Sequence, residues 1–156
     1  MSDVNLDSCR YALLELSPRV EYALLALLEM ASHSDPAMPL TIGQITARQP
    51  IPDRYLEQIL TGLRRKGIVQ SQRGAKGGYV LTRKPWQVNL LDVIISVEGD
   101  RKERDPANTS TLEKDVIHDV WHEASSASEA ILSRCTLQDL CQWRDARQQK
   151  HPMYYI

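Results

Sequence analysis

LTIGQITARQPIPDRYLEQILTGLRRKGIVQSQRGAKGGYVL, at residues 40–81, is the stretch of this chain that decides the fold. Its first part, residues 40–48, predicts a short helix. The prolines of segment 49–52 enforce a turn, because proline cannot continue a helix. Asp53 then opens a second helix that ends at about Arg65. A short helix, a turn and a second helix make a helix-turn-helix.

The second helix of this stretch has one apolar and one polar face. Its apolar residues fall within about 100° of arc and form a predicted core: Leu56, Ile59, Leu60 and Leu63. The opposite arc carries Arg54, Glu57, Gln58, Thr61 and Arg65. Arginine reads guanine in the major groove of DNA, glutamine reads adenine, and a carboxylate accepts from cytosine. The outward face therefore has the chemistry of a recognition helix, although a solvated helix face is the simpler alternative for Glu57.

A β-hairpin is predicted after this helix. Gly67 caps the helix, and IVQSQ (68–72) and GYVLT (78–82) predict two strands joined by the basic, glycine-rich tip RGAKG. The tip lacks the GxGxxG order and the Walker lysine of phosphate-binding loops, so the hairpin is favoured. An earlier helix is predicted over about 18–33. We therefore predict a mainly α fold with a small β-hairpin, which is a winged helix-turn-helix.

The charge is distributed unevenly along the chain. The formal net charge is −1, but residues 43–85 carry nine basic and two acidic side chains, a local charge of +7, and the remainder sums to −8. A basic block on an otherwise acidic chain is typical of a nucleic-acid-binding face. Arg64, Arg65 and Lys66 are expected to contact phosphate, and Arg73 and Lys76 at the hairpin tip to reach phosphates or the minor groove.

A long amphipathic helix is predicted over residues 109–134. Its apolar positions recur every three or four residues: Leu112, Val116, Val120, Ala124, Ala127 and Ile131, widened by Ile117 and Trp121. A single helix with so broad a stripe needs a partner, and the same helix in a second chain supplies one. The sequence therefore predicts a homodimer.

Five segments describe the predicted organisation. They are an N-terminal arm at 1–16, the winged helix-turn-helix at 17–99, a charged linker at 100–108, the dimerisation helix with a short C-terminal helix at 109–150, and an aromatic tail at 151–156. The first residues do not resemble a secretory leader, and no apolar run approaches the roughly 20 residues that span a bilayer, so the cytoplasm is the expected compartment.

Catalysis is not expected, because the sequence shows no triad, carboxylate pair or metal constellation. HDVWH at 118–122 resembles a degraded zinc-protease motif, but both histidines lie opposite the apolar stripe and no third ligand is evident. A solvated helix face is therefore favoured. In a reducing compartment Cys9, Cys135 and Cys141 are expected to be free thiols, and no cofactor is expected.

Three segments resemble the Rrf-type winged-helix regulators: SPRVEYALLALLEMA, the stretch at residues 40–81, and NLLDVIISVEGD. This family includes the iron–sulfur cluster regulator and the nitric-oxide-sensing repressor. The resemblance implies a homodimeric transcriptional repressor that binds double-stranded DNA at an inverted-repeat operator, with 109–134 as its dimerisation helix. Together with the helical pattern it gives these candidate DNA-binding residues: Arg54, Tyr55, Glu57, Gln58, Thr61, Arg64, Arg65, Lys66, Arg73 and Lys76.

The iron–sulfur members of this family carry three cysteines after the VEG motif, where this chain has DRKERDPANTS. The cluster ligands are missing there, and Cys135 and Cys141 lie beyond the long helix. A redox or iron–sulfur sensor that uses Cys9, Cys135 or Cys141 stays an alternative.

The end of the chain is similar to the cysteine-metabolism repressor branch, which also lacks the cluster cysteines. That resemblance implies cysteine synthase as a partner, captured through Met153, Tyr154, Tyr155 and Ile156, with the terminal carboxylate mimicking an amino-acid substrate. O-acetylserine would then displace the tail. Two alternatives stay open: the tail packs on its own dimer, or inhibition of the synthase is the main output and DNA binding is vestigial.

Overall fold

The computed structural model describes residues 14–33, 35, 38–99 and 110–150. Within these ranges the chain forms six α-helices and one antiparallel hairpin, in the order α1 (Pro18–Ser32), α2 (Ile42–Thr46), α3 (Asp53–Arg65), β1 (Val69–Gln72), β2 (Gly78–Leu81), α4 (Leu90–Glu98), α5 (Leu112–Arg134) and α6 (Leu137–Lys150). A short 3-10 turn, Pro85–Gln87, links β2 to α4. This is the winged helix-turn-helix with a long additional helix that the sequence predicts.

Side-chain caps set where several helices begin. The hydroxyl of Ser17 accepts from the Val20 N–H at 3.2 Å, and Pro18 follows at the first helical position. Thr41 and Gln44 form a capping box at the start of α2. Asn89 accepts from the Asp92 N–H at 2.8 Å at the start of α4. These boundaries therefore follow from local sequence.

One apolar core holds the helix-turn-helix and hairpin together. The four apolar residues of α3 that the sequence assigns to the core are all at most 2% exposed. Helix α1 lies at the centre and packs against α3, α4, α6 and β2. Its buried residues are Val20, Ala23, Ala26, Leu27 and Met30. Helix α3 is thus packed against the core through its apolar face and has its polar face toward solvent.

The hairpin is anchored by a third, isolated pairing. β1 and β2 pair antiparallel with Val69 opposite Leu81, and Tyr79 exchanges two backbone hydrogen bonds with Leu40 at 2.8 and 3.0 Å. Gly78 has φ +147°, and a Cβ there would overlap the Leu40 carbonyl oxygen. Glycine is therefore required at this position by both backbone conformation and close approach.

Three helix lengths differ from the sequence prediction. Helix α5 begins at Leu112, after its N-cap Thr111, and not at residue 109. Helix α2 is shorter than predicted because Leu40 is used in the bridge to the hairpin. Helix α6 is longer than predicted, at 14 residues, and Leu137 at its start is fully buried in the core. The Leu137 N–H donates to the Val88 carbonyl at 3.0 Å, and the Leu90 N–H donates to the Cys135 carbonyl at 2.9 Å. These bonds tie the α5–α6 corner to the segment before α4.

Helix α5 leaves most of its apolar stripe uncovered in the single chain. Its C-terminal half packs on α4, where Ser128 and Leu132 border a cavity of about 360 Å³ together with Leu91 and Ile94. The six large apolar side chains that follow are each between 55% and 77% exposed: Leu112, Val116, Ile117, Val120, Trp121 and Ile131.

No helix in the described part of the chain is both long and apolar enough to cross a membrane.

Candidate nucleic-acid interface

The outward face of α3 presents long polar side chains to solvent. Arg54, Glu57 and Gln58 are exposed, and within the described ranges no ion pair or hydrogen bond occupies their side-chain ends. Thr61 is half-buried, and its hydroxyl donates to the Glu57 carbonyl at 2.8 Å within the helix. Three of the predicted readers are therefore available to a ligand, whereas the hydroxyl hydrogen of Thr61 is already used.

One edge of this face is connected to the hairpin. The Arg64 guanidinium donates to the Ser71 hydroxyl on β1 at 3.4 Å. Arg65 and Lys66, which follow at the C-terminal end of α3, are exposed. Their positive charges also interact favourably with the negative end of the helix dipole. These cations therefore lie at the C-terminal end of α3, next to the first strand of the hairpin.

The other edge of the face is connected to α1. Tyr55 packs against Tyr22 with ring centroids 5.8 Å apart and an interplanar angle of 78°, which is an edge-to-face contact. Tyr55 is still 47% exposed, and Tyr22 is half-buried against the core. Tyr55 is thus a predicted DNA-binding residue whose ring also packs within the protein.

The hairpin tip holds two exposed cations on a narrow turn. Arg73 and Lys76 are exposed, and the Gly77 N–H donates to the Gly74 carbonyl at 2.9 Å to close the turn. Gly74 has φ +112°, a conformation that side chains other than glycine rarely adopt. A Cβ on Gly77 would overlap the Gln72 carbonyl oxygen. The tip is therefore a tight glycine turn with two exposed cations.

The basic side chains of this surface are electrostatically available. The ion pairs Arg48–Glu29 at 3.5 Å and Arg83–Asp92 at 3.9 Å lie away from the outward face of α3 and the hairpin tip. Within the residues that the structure describes, Arg54, Arg65, Arg73 and Lys76 form no ion pair. Their charges can therefore neutralise phosphates and release counterions.

A family model described as Rrf2, iron-dependent transcriptional regulator, matches residues 16–143 of this chain. The chain belongs to the Rrf2 family of transcriptional regulators. This confirms the resemblance to the Rrf-type regulators and the predicted winged helix-turn-helix fold. It also agrees with the prediction that the protein is not an enzyme, because these relatives are transcriptional regulators.

Individual Rrf2 proteins are similar to this chain over most of its length. The regulator CymR of Bacillus subtilis is 30% identical over 143 residues, covering 92% of this chain and all of CymR. A solved structure of CymR, described as the global cysteine regulator of B. subtilis, superposes with a TM-score of 0.70 at 29% identity, covering 84% of this chain and 98% of the other. The structure of IscR from T. potens gives 0.69 at 32% identity, covering 91% and 97%.

The iron in the Rrf2 family description raises the question of whether these residues fit a metal or a cluster. Within the described ranges no group of three or more His, Cys, Asp or Glu side chains is arranged to hold a metal ion. Cys135, at the C-terminal cap of α5, and Cys141, within α6, are half-buried free thiols. The Cys141 sulfur lies 3.6 Å from the Ser32 hydroxyl, to which Arg144 donates at 2.6 Å. This donor set does not fit an iron–sulfur cluster.

Other predicted sites are placed as follows. His118 and His122 are exposed on α5, as a solvated face predicts. Cys9 and the tail residues Met153 to Ile156 lie outside the described residues. Sequence reasoning missed Tyr22 and Ser71, which contact the two edges of the α3 face. Their roles depend on which elements pack together, and no local motif signals that.

Proposed function

We propose that this protein is a homodimeric, sequence-specific DNA-binding repressor. The observation that supports it most strongly is the outward face of α3, where Arg54, Glu57 and Gln58 are exposed and without protein partners beside a wing that carries Arg73 and Lys76. A buried apolar face behind the helix and a free polar face in front of it are what major-groove docking requires.

Each group in the proposed interface has a distinct task. Arg54 can donate two hydrogen bonds to guanine, and Gln58 can pair with adenine. Glu57 can accept from a cytosine amino group, and its charge repels phosphates from a misplaced helix. The remaining cations, Arg64, Arg65, Lys66, Arg73 and Lys76, supply sequence-independent attraction to phosphate or to the minor groove.

Helix α5 provides the proposed dimer contact. Its large apolar side chains are exposed in the single chain, whereas the small residues Ala124 and Ala127 lie near its middle. Small side chains let two helices approach closely, so two copies can cross there and cover each other's large residues. A two-fold axis through the crossing then presents two α3 helices to an inverted repeat.

The test is a titration of an operator obtained by selection from a random DNA library. The variant Arg54→Ala with Arg73→Ala should bind this operator at least tenfold more weakly. The matched control is Arg147→Ala with Lys150→Ala, which removes the same charge from exposed positions on α6 and should bind as the unchanged protein does. Equal binding by both variants would contradict the proposed interface.

We propose further that the repressor responds to sulfur supply through cysteine synthase. The support is the similarity to CymR, described as a global cysteine regulator, together with the apolar and aromatic segment MYYI at residues 153–156. The synthase would capture the tail when O-acetylserine is scarce and release it when O-acetylserine competes for the same pocket. The complex would be the form that binds the operator.

This second step has its own test. Cysteine synthase is titrated with the full-length chain and with a chain that lacks residues 153–156, each with and without O-acetylserine. Micromolar or tighter binding that needs the tail and is competed by O-acetylserine would support the sulfur signal. If neither chain binds, the signal is a different one and the proposed DNA-binding dimer is unaffected.

A further inference from the structure

Tyr22 on α1 contacts the DNA-facing side of α3 but is not itself one of the predicted DNA-binding residues. We infer that Tyr22 is a positioning residue for operator recognition, because its ring holds Tyr55 at the edge of the reading face. The inference rests on the proposed function, since it concerns how the same interface recognises DNA.

The first argument is the position of Tyr55 on the helix. At about 100° per residue, Tyr55 lies between the exposed Gln58 on one side and the buried Ile59 on the other. It therefore marks the boundary between the polar face and the core. A side chain at this boundary limits how far α3 can rotate about its own axis.

The second argument is the geometry of the ring contact. The centroid separation of 5.8 Å and the angle of 78° between Tyr22 and Tyr55 are those of a favourable edge-to-face pair. Tyr22 is half-buried and packs against the core, so its ring is held in place from behind. Tyr55, still 47% exposed, is therefore fixed by a rigid neighbour while part of it faces solvent.

The third argument is that the opposite edge of the face is held differently. There Arg64 donates to Ser71 across 3.4 Å, and the bond joins two exposed side chains. Such a bond is weak in water, whereas an aromatic pair against the core keeps its geometry. The Tyr22 edge is consequently the one that sets the orientation in which Arg54 and Gln58 meet the bases.

The test is a double-mutant cycle on the full-length protein, read as binding to the selected operator and to unrelated DNA of equal length. Tyr22→Leu should weaken operator binding about three- to tenfold and leave binding to unrelated DNA nearly unchanged. Tyr22→Phe keeps the ring and should therefore keep the ratio of operator binding to unrelated binding at the value of the unchanged protein. In a Tyr55→Ala background, Tyr22→Leu should have little further effect, because the pair is already lost.

Stability is measured alongside, because Tyr22 also packs on the core. A purely structural role would lower the melting temperature and the active fraction of protein without changing the ratio of operator binding to unrelated binding. Ser71→Ala, at the opposite edge, is the matched control and should change the ratio less than Tyr22→Leu does.

The outcomes separate this inference from the proposed function. If the unchanged protein shows no preference for any DNA sequence, the proposed function fails and this inference fails with it. If the unchanged protein binds its operator selectively, an unaltered ratio in Tyr22→Leu, or full additivity with Tyr55→Ala, overturns the positioning role alone.

Discussion

Helices α3 and α5 are both amphipathic, but only the apolar face of α3 is buried within the single chain. The apolar face of α3 is fully covered, by the core built around α1, and its polar face is exposed. Helix α5 has no fully buried residue, and its large apolar side chains face solvent. An amphipathic pattern therefore predicts which face of a helix will be buried. Whether the same chain covers that face, or a second copy is needed to cover it, depends on how the rest of the chain packs.

The largest expected effect comes from disrupting the α5 stripe. Val116→Asp with Val120→Asp should give a folded monomer, because both side chains are 57% exposed and contribute little to the core. Binding to the full operator should fall about 10²- to 10⁴-fold, the range lost when two linked sites become independent. Sedimentation and operator titration measure the two effects.

The matched control for this variant adds the same charges to the opposite side of α5. His118→Asp with His122→Asp should remain dimeric, because these residues are exposed and lie away from the stripe. A dimeric valine variant, or a monomeric histidine variant, would contradict the assignment of the stripe as the interface.

The next effect concerns the covered face of α3. Leu60 is fully buried, so Leu60→Ala should lower the free energy of unfolding by about 2–5 kcal/mol. Val120→Ala, at an exposed position, should change it far less when the valine is not in an interface. Denaturant unfolding at equal protein concentration, low enough to favour monomer, compares the two. If both variants lost a similar free energy of unfolding, the contrast between a buried face on α3 and an exposed face on α5 would be wrong.

A third effect tests the anchoring of the wing. Gly78→Ala should destabilise the fold by about 1–3 kcal/mol, because the backbone is at positive φ and the new Cβ meets Leu40. Gly62→Ala is the control: nothing lies within 4 Å of a Cβ there, and alanine favours a helix interior by up to about 1 kcal/mol. Thermal unfolding should therefore move in opposite directions for the two alanine variants.

The smallest effect tests the wing tip. Arg73→Ala should weaken binding by a similar factor for all DNA sequences and reduce the slope of log affinity against log salt by about one, since one phosphate contact is lost. Titrations at several salt concentrations measure the slope. A loss confined to one base position of the operator would instead make Arg73 a base reader.

Local sequence predicted the winged helix-turn-helix and the bounds of α3, because proline, capping residues and strict helical spacing act over a few residues. The C-terminal half of α6 was missed, because residues 144–150 carry no large apolar side chain whose spacing would predict a helix. The exposure of Arg54, Glu57 and Gln58, the proposed base readers, follows from helical spacing. The contact of Tyr22 with Tyr55 joins two helices and could not be predicted from either one.

The central claim is that two copies joined through α5 read DNA with two α3 helices. Selection from a random DNA library with the full-length protein, followed by sequencing, tests it most directly. The account predicts an enriched inverted repeat whose half-sites lie about one helical turn, or a multiple of it, apart. Enrichment of a single asymmetric site, or of no sequence at all, would contradict it.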